Sequence, residues 1–303
     1  VGAAKAGTTA LHAILSQHPE IYMSPVKEPN FFCKDIKVNE FSPLMKKKYL
    51  NRKCRRTKFG EILPQHQLYI QSLNEYLKLF DRATKNHKIR GEASVSYLFS
   101  EIAAQEIYKF NPEAKIIILL RDPVERAFSH YLMDRKVGNN KISNFVVAVE
   151  NDYNRSDKAW GNSHLYIELG LYYNQIKRYL DVFDRENIFL IQYNQFKDNN
   201  QLITDQITRF LKIDDLVLSK KGTQKNITQL PKNRFIQFLL NSKSIKRQFR
   251  NYASPYIKNK LKKIILSNKN LPVLSADIKE KILPYFKDDI EKLNKKMSFY
   301  FDK

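Results

Sequence analysis

The chain has few cysteines, and they are not arranged for chemistry. Among 303 residues there are only Cys33 and Cys54, which have neither the spacing of a metal site nor that of a disulfide framework. The six histidines are scattered and form no pair at ligand spacing, so the sequence predicts no metal site. The scarcity of cysteine favours a reducing compartment, the cytoplasm.

Flexible linkers, internal repeats and long hydrophobic runs are also missing. The longest apolar runs, such as residues 116–120, are far too short to cross a bilayer, so no transmembrane segment is expected in this chain. With 43% hydrophobic and 12% aromatic residues, the chain can bury a sizeable core. We therefore expect a single domain over residues 1–303.

Acidic residues are absent from residues 216–276, which carry 14 lysines and arginines. The formal net charge of the whole chain is +22. A basic surface of this kind could bind a bisphosphorylated nucleotide or a polyanionic acceptor, or it could be a plain solvated face. Both interpretations stay open for this segment, and residues from about 216 to 303 are expected to form a basic, helical C-terminal portion.

A glycine-containing stretch at the start of the chain predicts a phosphate-binding loop. Gly2 and Gly7 keep the spacing of the nucleoside-triphosphate loop G-x-x-x-x-G-K-[ST], but Thr8 stands where that loop has its lysine, and Lys5 comes three residues earlier. Apolar residues at helical spacing follow, so the loop opens a helix whose unpaired N–H groups face an anion. A turn that merely caps a core helix is the alternative. Because a strand normally feeds such a loop, we expect the natural chain to begin before Val1.

Strands and helices alternate along the rest of the chain. Residues 114–120 have the apolar pattern of a buried parallel strand. Arg121 ends it, and then Asp122 as N-cap, Pro123 at the first helical position and Glu125 predict a capping box. Further helices are predicted over 101–110, 170–183 and 202–211, and a further strand over 187–193. The alternation predicts an α/β fold with the ligand at the carboxyl ends of the strands.

A second phosphate could bind where the buried strand ends. Arg121 lies at its carboxyl end, and Ser129 follows two turns into the next helix, so a guanidinium and a hydroxyl could hold one anion. In the alternative interpretation, Arg121 pairs with Asp122 and Ser129 is a small packing residue. One ligand with phosphates at both ends would explain this feature and the first loop together.

The motifs Lys5-x-Gly7-Thr8-Thr9 and Arg121-Asp-Pro-Val-Glu-Arg-Ala-Phe-Ser129 together resemble those of sulfotransferases that use 3'-phosphoadenosine 5'-phosphosulfate (PAPS). The likeness is strongest to the glycan branch, the heparan sulfate glucosaminyl N- and 3-O-sulfotransferases and their bacterial relatives. It runs over residues 1 to about 213, and more loosely to the C-terminus. The resemblance implies a three-layer P-loop-type fold with a central parallel β-sheet flanked by helices.

The resemblance also implies a role for each matched residue of the donor site. Lys5 would contact the bridging oxygen between sulfate and phosphate, and Arg121 and Ser129 would hold the 3'-phosphate. The 5'-phosphate would be bound by Ala6, Gly7, Thr8 and Thr9. Because a transferring sulfuryl group carries less charge than a phosphoryl group, a lysine can neutralise the leaving group without Mg²⁺.

Two glutamates match carboxylates of the same branch. Glu28 lies in an E-x-x-F-F element and would be the general base; alternatively, it is a solvent-facing carboxylate paired with Lys27. Glu92 matches an E-K-[ST] element, but Ala93 stands where those enzymes have lysine, which puts a heparan-type acceptor in doubt. Glu92 could be a second acid or base, a positioning group, or a structural partner of Arg90 or Lys5.

A basic segment near residue 220 loosely matches a loop that such enzymes fold over the nucleotide. Its Lys221 and Lys225 are candidates for donor phosphate contacts, or else plain surface charges. The cysteine pair that flanks this region in animal glycan enzymes is absent. That absence favours a cytoplasmic, bacterial-type enzyme, with the Golgi lumen as the compartment of a eukaryotic chain anchored upstream.

The sequence therefore predicts transfer of a sulfuryl group from PAPS to a hydroxyl or amine of a carbohydrate-like acceptor, with no metal and no specific nucleic acid. A P-loop kinase is one alternative, although it should have lysine after Gly7 and an acidic Mg²⁺ ligand. A non-catalytic protein that binds nucleic acid or polyanions through residues 216–276 is another.

Overall fold

Parallel strand pairs organise the part of the chain that carries the predicted motifs. The computed structural model describes residues 1–218 other than 51, 53 and 59, the pairs 230–231 and 266–267, and residues 272–301. The strands are β1 Ile21–Met23, β2 Val26–Lys27, β3 Gln65–His66, β4 Ile89–Gly91, β5 Ile116–Leu120, β6 Ile188–Gln192, β7 Leu230–Pro231 and β8 Leu266–Ser267. The pairs β1/β4, β2/β3 and β5/β6 are parallel, whereas β7/β8 is antiparallel.

The pair β5/β6 is the longest, and it runs in register from Ile116 opposite Ile188 to Leu120 opposite Gln192. Four of the five β5 side chains are buried, which agrees with the apolar run that predicted this strand. Residues 1–3 run alongside β5 in the same direction. Val1 donates to the Ile117 carbonyl at 2.7 Å, and Ala3 donates to the Leu119 carbonyl at 2.7 Å. The start of the chain is thus strand-like, as the loop that follows it requires.

Helices connect and cover these strands. They are α1 Thr8–Leu15, α2 Pro43–Leu50, α3 Leu73–Leu77, α4 Ser96–Phe99, α5 Ala103–Phe110, α6 Pro123–Val137, α7 Phe145–Tyr153, α8 Tyr172–Leu180, α9 Tyr193–Asp198, α10 Asn200–Leu211, α11 Ala276–Ile282 and α12 Lys287–Met297. Short 3-10 turns lie at Val38–Glu40, Lys78–Phe80, Glu168–Gly170, Arg185–Asn187 and Leu283–Phe286. Within the described ranges, no helix is long and apolar enough to cross a membrane.

Helix α6 begins as the sequence predicts, with one difference. The Asp122 carboxylate accepts a hydrogen bond from the backbone N–H of Glu125 at 2.8 Å, and Pro123 occupies the first helical position. In a full capping box, the Glu125 side chain would accept from the backbone N–H of Asp122. Here the Glu125 carboxylate binds Arg121 and Lys279 instead. The predicted capping box is therefore only half right, because two nearby cations attract the carboxylate more strongly than one backbone N–H does.

Two hydrophobic clusters support the fold. The larger one contains β5, β6 and the inner faces of α1, α5, α8 and α10. The second lies between α6 and α7 and includes Ile282 and Phe286 from the C-terminal helices, both fully buried. The α/β class with parallel strands and flanking helices, predicted from the alternation of elements, is confirmed.

Candidate active site

The predicted phosphate loop lies at the point where residues 1–3 leave the side of β5. Residues 4–7 form the turn, and Gly7 adopts φ +93° immediately before α1. This left-handed conformation suits glycine because it has no Cβ atom. The first backbone N–H groups of α1, those of Thr8 and Thr9 among them, have no acceptor within the helix and are available to an anion.

Lys5 stands on the crown of this loop with φ +70°, and it is half-buried. Burial lowers the pKa of the Lys5 ammonium, Asp134 raises it, and Arg121 lowers it further. The charges of Arg121 and Asp134 both act on this ammonium group. Lys5 is therefore a cation in a partly dry environment on the predicted phosphate loop.

Arg121 follows β5 directly, at its carboxyl end. Its Nη2 atom lies 3.2 Å from Oε2 of Glu125, and its guanidinium stacks 4.7 Å from the centre of the Tyr193 ring. The hydroxyl of Tyr172 donates to the Arg121 carbonyl at 2.9 Å. The alternative pairing of Arg121 with Asp122 is not observed, since Asp122 caps α6.

Tyr193 connects the two predicted phosphate sites, and the sequence analysis missed it. It is the first residue of α9, directly after β6, and β6 pairs with β5. A Cβ atom placed on Gly7 would lie 3.0 Å from the Tyr193 ring, so the loop packs on one part of this ring while Arg121 stacks on it too. Finding Tyr193 from the sequence would have required knowing that the strand before it pairs with β5.

The other residues assigned to the donor lie on the loop, on α1 and on α6. Ala6 is fully buried within the loop, Thr8 is half-buried, and Thr9 is exposed at the start of α1. Ser129 is half-buried on α6, two turns after Arg121. Lys221 and Lys225 lie outside the described residues.

Glu28 is buried, not solvent-facing. Its side chain is only 8% exposed, and its Oε1 atom lies 2.9 Å from Lys27 Nζ and 3.3 Å from Nε2 of His66. Burial alone would raise the pKa of the Glu28 carboxyl, but the hydrogen bond from His66 and the charge of Lys27 outweigh it and lower the pKa. Glu28 is therefore ionised at neutral pH. His66 was not identified from the sequence because it is 38 residues away and reaches Glu28 through the β2/β3 pairing.

Glu92 lies in a different environment. Its Oε2 atom accepts a hydrogen bond from Ser94 at 2.9 Å, whereas its buried Oε1 atom has no hydrogen-bond partner among the described residues. Burial raises the pKa of Glu92 to about 7, although hydrogen bonds from Tyr97 and Ser94 oppose that rise. Neither Arg90 nor Lys5 is the partner of this carboxylate. Glu92 is therefore the carboxyl group that would change charge near neutral pH.

A buried polar cluster on α6 adjoins Lys5. The Asp134 carboxylate accepts from His164 Nδ1 at 2.7 Å and from the Tyr166 hydroxyl at 3.1 Å, and it lies 3.5 Å from His130 Nε2. Burial lowers the pKa of His130 to about 3, so that ring is neutral. No group of side chains that could hold a metal ion occurs in the described part of the chain.

Comparisons with known proteins identify the family of this chain. A profile of the sulfotransferase family matches residues 1–216. Carbohydrate sulfotransferase 15 of Mus musculus is 25% identical and covers 71% of this chain and 43% of its own length. Heparan sulfate glucosamine 3-O-sulfotransferase 6 of Homo sapiens is 23% identical and covers 73% of this chain and 52% of its own length. The chain thus spans about half or less of these curated relatives.

A solved structure is also similar. The crystal structure of a sulfotransferase from Alicyclobacillus acidocaldarius superposes with a TM-score of 0.58 at 34% sequence identity. The match covers 75% of this chain and 85% of that protein. The two proteins are therefore similar in three-dimensional structure as well as in sequence.

The donor site predicted from the sequence implies that replacing Tyr193 by alanine should weaken binding of 3'-phosphoadenosine 5'-phosphate (PAP), by up to about 30-fold. The Arg121 guanidinium would lose the ring that holds it in place, a cation–π contact of about 0.5 to 2 kcal/mol. Tyr193→Phe keeps the ring and should bind PAP nearly as the native protein does. Calorimetric titration measures both affinities, and thermal unfolding shows whether each variant is folded. An alanine variant with native affinity would contradict the role given to this ring.

Proposed function

The chain belongs to the sulfotransferase family, and from that premise we propose that it transfers a sulfuryl group from PAPS to a hydroxyl or amine of a carbohydrate-like acceptor. The observation that carries the proposal is the contact of Tyr193 with both Gly7 and Arg121. It joins a loop suited to the 5'-phosphate and an arginine suited to the 3'-phosphate into one site. PAPS has phosphates at both of these positions.

The donor's reacting end would lie against the loop. As the acceptor atom bonds to sulfur, the bond between sulfur and the bridging oxygen breaks, and its electron pair stays on the 5'-phosphate of PAP. Lys5 neutralises the charge that develops on this oxygen, and the backbone N–H groups of Thr8 and Thr9 bind the phosphate. A partly buried lysine is effective here because charges interact more strongly away from water.

The acceptor's proton goes to a carboxylate, and we propose Glu28 for this role. Its depressed pKa keeps it ionised, so it is ready to accept a proton at neutral pH, and Lys27 and His66 fix its orientation. The exposed His66 ring, about 55% accessible, also gives this carboxylate a polar connection to the surface. Glu92 then serves to position Ser94, which precedes helix α4.

A carbohydrate acceptor is supported by the names of the relatives. Carbohydrate sulfotransferase 15 and the glucosamine 3-O-sulfotransferase act, by name, on sugars. Ala93, where the glucosaminyl branch has lysine, removes one positive charge from the region of Glu92. We therefore propose a saccharide acceptor without assigning it to heparan sulfate.

Incubation with sulfur-labelled PAPS in the presence of a metal chelator should label a saccharide from a panel of amino sugars and polysaccharides, with lipids, phenols and tyrosyl peptides as comparisons. Lys5→Ala should reduce the rate by about a hundredfold or more, the usual effect of losing one preorganised donor. If no acceptor is labelled, and if ATP with Mg²⁺ raises the melting temperature while PAP near millimolar concentration does not, the proposal is wrong.

The pH dependence of kcat/KM distinguishes the two carboxylates. A general base must be deprotonated, so activity falls as pH falls through its pKa. If Glu28 is the base, activity should persist well below pH 7, and Glu28→Gln should lower turnover by about 10² to 10⁴ with PAP affinity retained. An acid limb near pH 7 that disappears in Glu92→Gln would instead assign the proton transfer to Glu92.

A further inference from the structure

Glu125 shares its carboxylate between two cations that are far apart in sequence. Its Oε2 atom accepts from Arg121 Nη2 at 3.2 Å and from Nε at 3.4 Å, while its Oε1 atom accepts from Lys279 Nζ at 3.2 Å. Arg121 is the residue assigned to the 3'-phosphate. The predicted donor site is therefore connected, through one carboxylate, to helix α11 near the C-terminus.

Helix α11 packs against α7, and the turn Leu283–Phe286 that follows it packs against α6. Ile282 at the end of α11 and Phe286 in the turn that follows belong to the same hydrophobic cluster as Val124 of α6. Phe286 lies so close to Gly170 that a Cβ atom there would come within 2.8 Å of its ring. Lys279 is thus presented to Glu125 by a packed element, although its own side chain is about half exposed.

Lys279 changes the net charge of the group that it forms with Arg121 and Glu125. Arg121 and Glu125 alone are a neutral pair, so an arriving phosphate would meet a repelling carboxylate beside the attracting guanidinium. Lys279 restores a net positive charge to the group. Because it binds the other carboxylate oxygen, it also keeps Glu125 on the Nε–Nη2 edge of Arg121 and leaves the remaining N–H groups for phosphate.

We propose that Lys279 is a positioning residue of the 3'-phosphate site and acts on Arg121 through Glu125. The inference rests on the proposed function, because it requires a donor with a 3'-phosphate. It extends the donor site to a helix beyond residues 1–216, the region that the family profile matches. The C-terminal helices are then part of the donor-binding structure.

Calorimetric titration with PAP and with adenosine 5'-phosphate, which lacks the 3'-phosphate, tests this role. Lys279→Ala should weaken PAP binding about fivefold, the upper range for a partly exposed ion pair, and should leave the affinity for adenosine 5'-phosphate unchanged. Lys279→Arg keeps the positive charge and should bind PAP about as tightly as the native protein does. Lys281→Ala is the matched control, since it removes the same charge from an exposed position of the same helix and should change PAP binding by less than about twofold.

A double-mutant cycle supplies the sharper test. In a Glu125→Gln background, Lys279→Ala should change PAP affinity by less than about twofold, because the carboxylate through which it acts is gone. An equal effect in both backgrounds, or equal effects of Lys279→Ala and Lys281→Ala, would overturn the inference and leave the proposed function intact. Failure of the native protein to bind PAP at all would overturn both.

Discussion

Parallel pairing along β5 is the constraint on which the site depends. The strand pairs with β6 and also with residues 1–3, so three chain segments end at the same edge. The phosphate loop leaves from the first, Arg121 follows the second, and Tyr193 follows the third. Because carboxyl ends of parallel strands meet at one edge, residues nearly two hundred positions apart become neighbours.

The cations at this edge are balanced by carboxylates. Lys5 and Arg121, the two cations of the predicted donor site, act on each other through their charges. Each of these cations has a nearby carboxylate, Asp134 for Lys5 and Glu125 for Arg121. A buried cation without such a group loses its proton or destabilises the fold. The same carboxylates limit how tightly an anion can be held beside these cations.

The two candidate bases differ in pKa. Burial raises the pKa of both carboxyl groups, but different neighbours oppose that rise. Glu28 and Glu92 are both withdrawn from water. Lys27 and His66 contact the Glu28 carboxylate directly, whereas the Glu92 carboxylate accepts a hydrogen bond from the neutral Ser94 hydroxyl and has no ion pair in the described part of the chain. One carboxyl group is therefore ionised across the neutral range, while the other titrates near pH 7. This separation of pKa values is typical of sites where carboxylates have different tasks.

Sequence patterns predicted the elements that depend only on residues close together in the chain. The apolar run before Arg121 identified the buried strand, glycine spacing identified the loop, and Asp122 with Pro123 identified the start of α6. The contacts of Tyr193, His66 and Lys279 could not be predicted in this way. Each depends on strand register or on packing between segments that are far apart in the sequence, and no local spacing encodes it.

In the proposed function, one ligand with two separate phosphates occupies this edge. Calorimetric titration of the native protein and of Arg121→Ala with PAP and with adenosine 5'-phosphate shows whether it does. We expect the native protein to bind PAP at least about tenfold more tightly than adenosine 5'-phosphate, the strength of a charge-assisted contact, and Arg121→Ala to bind the two nucleotides equally. The proposal is wrong if Arg121→Ala binds both nucleotides more weakly but keeps the native preference for PAP.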